Sequence, residues 1–161
     1  MSFDPARAGA ALQDVFSGNA ADLASLAAAG PALVYVYRDE CPATRVSAAV
    51  LPRFALIDGL TVVSISQDAP ADAREFARRC GWIGGVRSLV ELAPWPTSAA
   101  LGIRVTPTWL LLGRGGEVEA RAEGWAREDA NRLAALAAGL CGVAAPLVSA
   151  PGGSEPAWQP G

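Results

Sequence analysis

Two short stretches hold the residues best suited to chemistry: Cys41-Pro42-Ala43-Thr44, and Val105-Thr106-Pro107-Thr108. The first follows Leu33-Val34-Tyr35-Val36-Tyr37, a β-branched and aromatic run that reads as a buried strand. Pro42 suits the first turn of a helix, where its missing N–H costs nothing. Cys41 is thereby expected at the helix N-cap, against unpaired N–H groups and the positive end of the helix dipole. That setting favours thiolate over thiol, and the thiolate is the nucleophile. Arg38 and Arg45 act in the same direction, while Asp39 and Glu40 oppose it and are free to turn toward solvent. The second stretch places a proline where another apolar run, Trp109-Leu110-Leu111-Leu112, begins.

The elements that must position these residues follow from periodicity. A helix is expected after Cys41, with Val46, Val50 and Phe54 on one face and a kink or end at Pro52. Leu60 to Ser66 is a second strand, and Ala71 to Cys80 an amphipathic helix closed by Gly81. Ser88 to Leu92 is a short strand and Thr97 to Leu101 a short helix. Arg114-Gly115-Gly116-Glu117 is a hairpin turn between Trp109–Leu112 and Val118–Ala122. Glu128 to Leu140 carries a helical apolar face. A strand–helix–strand start implies parallel pairing with a right-handed crossover, and the later hairpin adds antiparallel strands. The expected fold is α/β, a mixed sheet with helices on both faces. Residues 1–30 are expected as an alanine-rich helical extension, 31–142 as the main domain, and 143–161 as a flexible tail rich in Pro, Gly and Ser.

Composition narrows the function classes. The 161 residues suit one domain, with 52% hydrophobic residues and a formal charge of -3. All 13 basic residues are arginine and they are scattered, unlike the basic stripe of a nucleic-acid binder. There is no histidine. Ser-His-Asp and Cys-His catalysis are therefore excluded as normally built, and the commonest metal ligand is missing. Cys41, Cys80 and Cys141 are too far apart in sequence for a metal-ligand spacing, so no metal is expected. Asp4 and Asp14 interrupt the pattern of a signal peptide, and no run is long and apolar enough to span a membrane. A cytoplasmic protein with three free thiols is expected.

These motifs together resemble the thioredoxin-like superfamily, in its redoxin and thiol-disulfide reductase branch. The resemblance runs over residues 31–140. It rests on the strand before Cys41-Pro42, on Val63-Ser64-Ile65-Ser66-Gln67-Asp68, and on Arg74-Glu75-Phe76. It rests also on Ala99-Ala100-Leu101-Gly102-Ile103 leading to Val105-Thr106-Pro107-Thr108, and on the glycine hairpin before a closing helix. The resemblance implies that Pro107 is cis and lies beside Cys41, and that Thr106 offers backbone groups to an extended substrate. The chain departs from the family where a dithiol member has its second cysteine, at Thr44, and where an aromatic precedes the first, at Glu40. Arg38 stands where peroxiredoxins have threonine.

The implied function is thiol-disulfide exchange through the single nucleophile Cys41. Thr44 and Pro107 complete the catalytic set, and Pro42, Thr106 and Trp95 contact the substrate. No cofactor is implied; glutathione or another thiol would be the electron donor. Partners would be protein or small-molecule disulfides and thiols, with neither nucleic acid nor membrane. Two other readings stay open: a redox-silent module that binds extended peptides, and a peroxiredoxin-like peroxidase. Cys80 and Cys141, at helix C-terminal ends, are expected to be bland thiols.

Overall fold

The computed structural model describes residues 12–161. In chain order the elements are β1 (Leu12–Asp14), β2 (Ala20–Ala21), α1 (Leu23–Ala28), β3 (Ala32–Tyr37), α2 (Pro42–Ser47) and α3 (Leu51–Phe54). Then come β4 (Thr61–Ser66), α4 (Pro70–Arg79), β5 (Arg87–Glu91), α5 (Pro96–Ala100), β6 (Thr108–Leu112) and β7 (Val118–Glu123). The last are β8 (Trp125–Ala126), α6 (Arg127–Cys141) and β9 (Trp158–Gln159). Seven strands form one sheet in the order β2-β1-β5-β4-β3-β6-β7. β4 is the middle strand, and β3 beside it is parallel to β4 and antiparallel to β6.

All six residues of β3 are buried, because both faces of the sheet are covered. Alternation divides them. Leu33, Tyr35 and Tyr37 join a core with Phe54, Phe76, Trp82, Trp109 and Leu133, beneath α3, α4 and α6. Ala32, Val34 and Val36 join a second core with Leu23, Ile65, Leu89 and Leu110, on the α1 side. The first core is largely aromatic: Tyr35 meets Trp109 at 4.6 Å between ring centroids and Tyr37 meets Phe76 at 5.0 Å. The buried indoles are satisfied, Trp82 Nε1 donating to the Ala48 carbonyl at 3.0 Å and Trp109 Nε1 to that of Gly124 at 3.0 Å. The helix expected after Cys41 stops at Ser47 and resumes at Leu51. Pro52 thus sits in the first turn of a new helix, where proline is tolerated.

The ends of the chain correct two expectations. The expected helical extension over 1–30 falls partly on residues 1–11, which lie outside the described residues. Beyond them, β1 and β2 form a hairpin, and only Leu23–Ala28 is helical. β1 pairs with β5, so the sheet extends past the expected boundary at residue 31. Leu12 and Val15, 1% and 2% exposed, decide this locally, because their burial against the sheet outweighs the helical preference of the surrounding alanines. Asp22 then caps α1, its carboxylate accepting from the Ser25 N–H at 2.7 Å.

The expected flexible tail, residues 143–161, is packed against the domain at Val148, Ser149 and Glu155. Val148 is 1% exposed and enters the aromatic core. Asn131 accepts from the N–H groups of Val148 and Ser149 and donates to the Ser149 carbonyl. Arg53 holds Glu155 at 2.6 Å. The tail lacks apolar periodicity because it is fastened by polar side chains of α3 and α6 instead.

Candidate active site

Cys41 is the N-cap of α2, in extended backbone and partly buried. Its N–H donates to the Arg38 carbonyl at 3.3 Å, and its own carbonyl accepts the first helical bond, from Arg45 at 3.2 Å. The thiol donates to the Thr106 carbonyl oxygen at 3.1 Å. The two stretches that stood 65 residues apart in sequence thus meet at one contact. The Thr106–Pro107 peptide bond is cis. Two hydrogen bonds hold this turn: Thr108 Oγ1 donates to the Val105 carbonyl at 2.6 Å, and the Gly124 N–H donates to the Pro107 carbonyl at 2.8 Å.

The acids flanking Cys41 are engaged by arginines. Asp39 lies 3.3 Å from Arg79 and its N–H donates to Asp68 at 2.8 Å; Glu40 lies 3.8 Å from Arg38. Pro42 is exposed at the rim. Thr44 is placed differently from a residue that assists the sulfur. It is fully buried, and its hydroxyl has no hydrogen-bond partner among the described residues. It lies near the Tyr35 hydroxyl, but that group pairs with Ser47 Oγ at 2.7 Å, and Ser47 in turn donates to Ala43. Thr44 is therefore beneath Cys41, on the core side of α2, and does not bond the thiol.

Trp95 is brought to the site through Arg38, whose guanidinium lies 5.6 Å from the centre of the indole ring. Trp95 has φ 55°, the one described non-glycine residue with positive φ, and it opens α5. The residue that holds it there is Glu91, which sequence reading passed over as part of a strand. Its buried carboxylate accepts from the N–H groups of Thr97 and Ser98 and from Ser98 Oγ, and Gln67 donates to that same hydroxyl. An acid five residues before a helix start is outside the capping pattern that sequence can reveal. Glu91→Gln places an amide –NH₂ against these donors. It should destabilise the protein by about 1–3 kcal/mol, read by urea unfolding at unchanged m-value. An unaltered midpoint would show that the buried acid does not organise this loop.

The other thiols form no disulfide with Cys41. Cys80 ends α4 and lines a surface cavity with Asp39, Arg45, Phe76 and Arg79. Burial pushes its thiol up to about 11, which Asp39 reinforces and Arg79 opposes. Cys141 ends α6 beside Gly59, at the end of the sheet where β3 and β4 begin, whereas Cys41 follows the end where β3 finishes. Its thiol too is raised, chiefly by burial. All three cysteines are free, and no cluster of His, Cys, Asp or Glu among the described residues is arranged to hold a metal. No described helix is long and apolar enough to cross a membrane.

No protein-family model and no curated protein sequence matches the chain. Solved structures do. An uncharacterized conserved protein from Geobacillus kaustophilus superposes with a TM-score of 0.72 at 20% identity, over 91% of this chain and 84% of that one. A secreted Mycobacterium tuberculosis disulfide oxidoreductase homologous to E. coli DsbE gives 0.65 at 19% identity, over 82% of this chain and 99% of that one. A putative thiol:disulfide interchange protein DsbE from Chlorobium tepidum gives 0.62 at 20%, over 76% and 85%. At such identities the likeness is one of architecture: with its central parallel pair, antiparallel β6–β7 hairpin and flanking helices, the chain has a thioredoxin-like α/β fold.

Proposed function

We propose that the protein catalyses thiol-disulfide exchange through Cys41 alone. The observation that carries this reading is the contact of the Cys41 sulfur with the Thr106 carbonyl oxygen, at the mouth of α2. The Cys41 thiolate attacks one sulfur of a disulfide. A new S–S bond forms to Cys41, the old one breaks, and the other sulfur leaves as a thiolate. A second thiolate then attacks the substrate sulfur of this mixed disulfide. It forms the product disulfide and returns Cys41 as thiolate. The second thiol comes from outside the chain, because Thr44 stands where a resolving cysteine would be, burial pushes the Cys80 thiol up to about 11, and Cys141 lies at the opposite end of the sheet. Glutathione in a reducing cytoplasm fits that role. Pro42 and Thr106 border the sulfur and Trp95 extends the same rim through Arg38, so these residues contact the substrate. Disulfides of proteins and of small thiols are the proposed substrates, and the redox reading is supported by the names of the oxidoreductases that share the fold.

With oxidised glutathione, the intact protein should take up one glutathionyl group, at Cys41, as read by peptide mass spectrometry. Cys41→Ser should lower total uptake by on the order of 100-fold, while Cys80→Ser and Cys141→Ser leave it unchanged. Equal labelling of the three cysteines would overturn the proposal.

A further inference from the structure

The last residues of the chain lie across the candidate site. β9 pairs antiparallel with β8, Trp125 opposite Gln159 and Ala126 opposite Trp158, and it packs beside α2. The Arg127 N–H donates to the Ala157 carbonyl at 2.9 Å, and Trp125 Nε1 to that of Pro156 at 2.7 Å. Beyond β9, the chain reaches the Thr106 turn. A Cβ added to Gly161 would stand 2.7 Å from the Thr106 carbonyl oxygen and 2.5 Å from Val105 Cγ1. A Cβ added to Gly124 would meet the Gly161 nitrogen at 2.8 Å. Gly161 and the Cys41 sulfur therefore flank a single carbonyl oxygen, that of Thr106.

The tail is built in two parts of unequal strength. Residues 148–155 are an anchor: Val148, Ser149 and Glu155 are 1%, 0% and 8% exposed, and Arg53 and Asn131 bond them. Residues 156–161 bury little. Pro156, Ala157, Pro160 and Gly161 are exposed, Trp158 is 66% exposed, and β9 is a two-residue strand. A segment with so few buried contacts opens at low free energy while its anchor keeps it near.

We propose that residues 157–161 are a removable strap over the Cys41 site, and that an extended segment of the disulfide-bearing partner displaces it to pair with β8 and reach Thr106. This rests on the exchange chemistry proposed above, since it names that site's regulator and the form in which its partner enters. The chain's own occupant shows the shape that fits: extended, with a residue lacking Cβ over the Thr106 carbonyl.

The strap is tested by access to Cys41, which requires no catalysis. N-ethylmaleimide labelling of the native full chain is compared with that of Gly161→Val and of a chain ending at Pro156. Cys80 and Cys141 of the same molecules serve as references. Gly161→Val forces the end of the strap off a rigid backbone oxygen without touching the core. Cys41 labelling should rise several-fold in Gly161→Val and on the order of tenfold in the shortened chain, with Cys80 and Cys141 unchanged. In the unaltered protein, glutathionylation of Cys41 should abolish the amide-exchange protection of Gln159 and leave that of residues 148–149 intact. Unchanged Cys41 labelling in both variants, or unchanged exchange at β9 in the glutathionylated protein, would overturn the strap. If the strap holds but Cys41 passes no disulfide to a second thiol, the exchange reading alone fails.

Discussion

Replacing Thr44 by cysteine should raise the rate of protein-disulfide reduction by on the order of 100-fold, because a resolving thiol on the same chain acts at a far higher effective concentration than one in solution. The position is prepared for it. Cys41 caps α2 and Thr44 lies in its first turn, so their side chains are neighbours about 5–6 Å apart at Cβ. Helical neighbours of this kind fall within the Cα spacing of roughly 4.4–6.8 Å that disulfides span. The exchange costs little in stability. Thr44 is fully buried with an unpartnered hydroxyl, and a thiol is a weaker polar group of similar volume. Insulin reduction by Thr44→Cys, against wild type and against Cys41→Ser/Thr44→Cys, measures the gain. A variant no faster than wild type would mean that the missing second sulfur is not what limits release of the trapped partner.

Ending the chain at Ala145 should lower stability by about 3–5 kcal/mol, which for a domain of this size is roughly ten degrees in melting temperature. Val148 is lost from the aromatic core, Trp125 loses its cover, and the Arg53–Glu155 pair disappears. Burial of one valine contributes about 1.5–3 kcal/mol, and a charge-assisted bond to a buried carboxylate adds about 1 or more. Acid separates these contributions. The Arg53 hydrogen bond holds the Glu155 carboxyl below the usual carboxylate range, with Ser149 assisting and burial opposing. Its stabilisation is complete above the unfolded carboxylate range and is lost as pH falls through the lowered folded value. The penalty of truncation should therefore shrink in strong acid but not vanish, because the Val148 contribution does not titrate. An unchanged melting temperature would show the tail to be unattached.

Much of the fold was legible from local pattern. The runs at Leu33–Tyr37, Leu60–Ser66 and Trp109–Leu112 are apolar enough to be buried strands on their own evidence, and they are β3, β4 and β6. Pro42 after Cys41 set the start of α2, and the resemblance carried by the motifs around Cys41 and Pro107 implied that the two meet, as the sulfur's contact with the Thr106 carbonyl has it. Both signals are local: a strand's burial and a helix's first turn are written in neighbouring residues.

What only the tertiary structure decided depends on partners distant in the chain. The segment up to Gly30 read as an alanine-rich helix broken near Gly18-Asn19, yet pairing with β5 made residues 12–21 a hairpin. Residues 143–161 read as tail, yet Arg53 of α3 and Asn131 of α6 fasten them. Thr44 read as a residue of the site, and only the structure showed that its hydroxyl is fully buried and without a partner. Glu91 and Gly161 carried no signal at all. A carboxylate becomes a helix cap, and a glycine a fit over one carbonyl, only when long-range contacts bring the other half of each pair within reach.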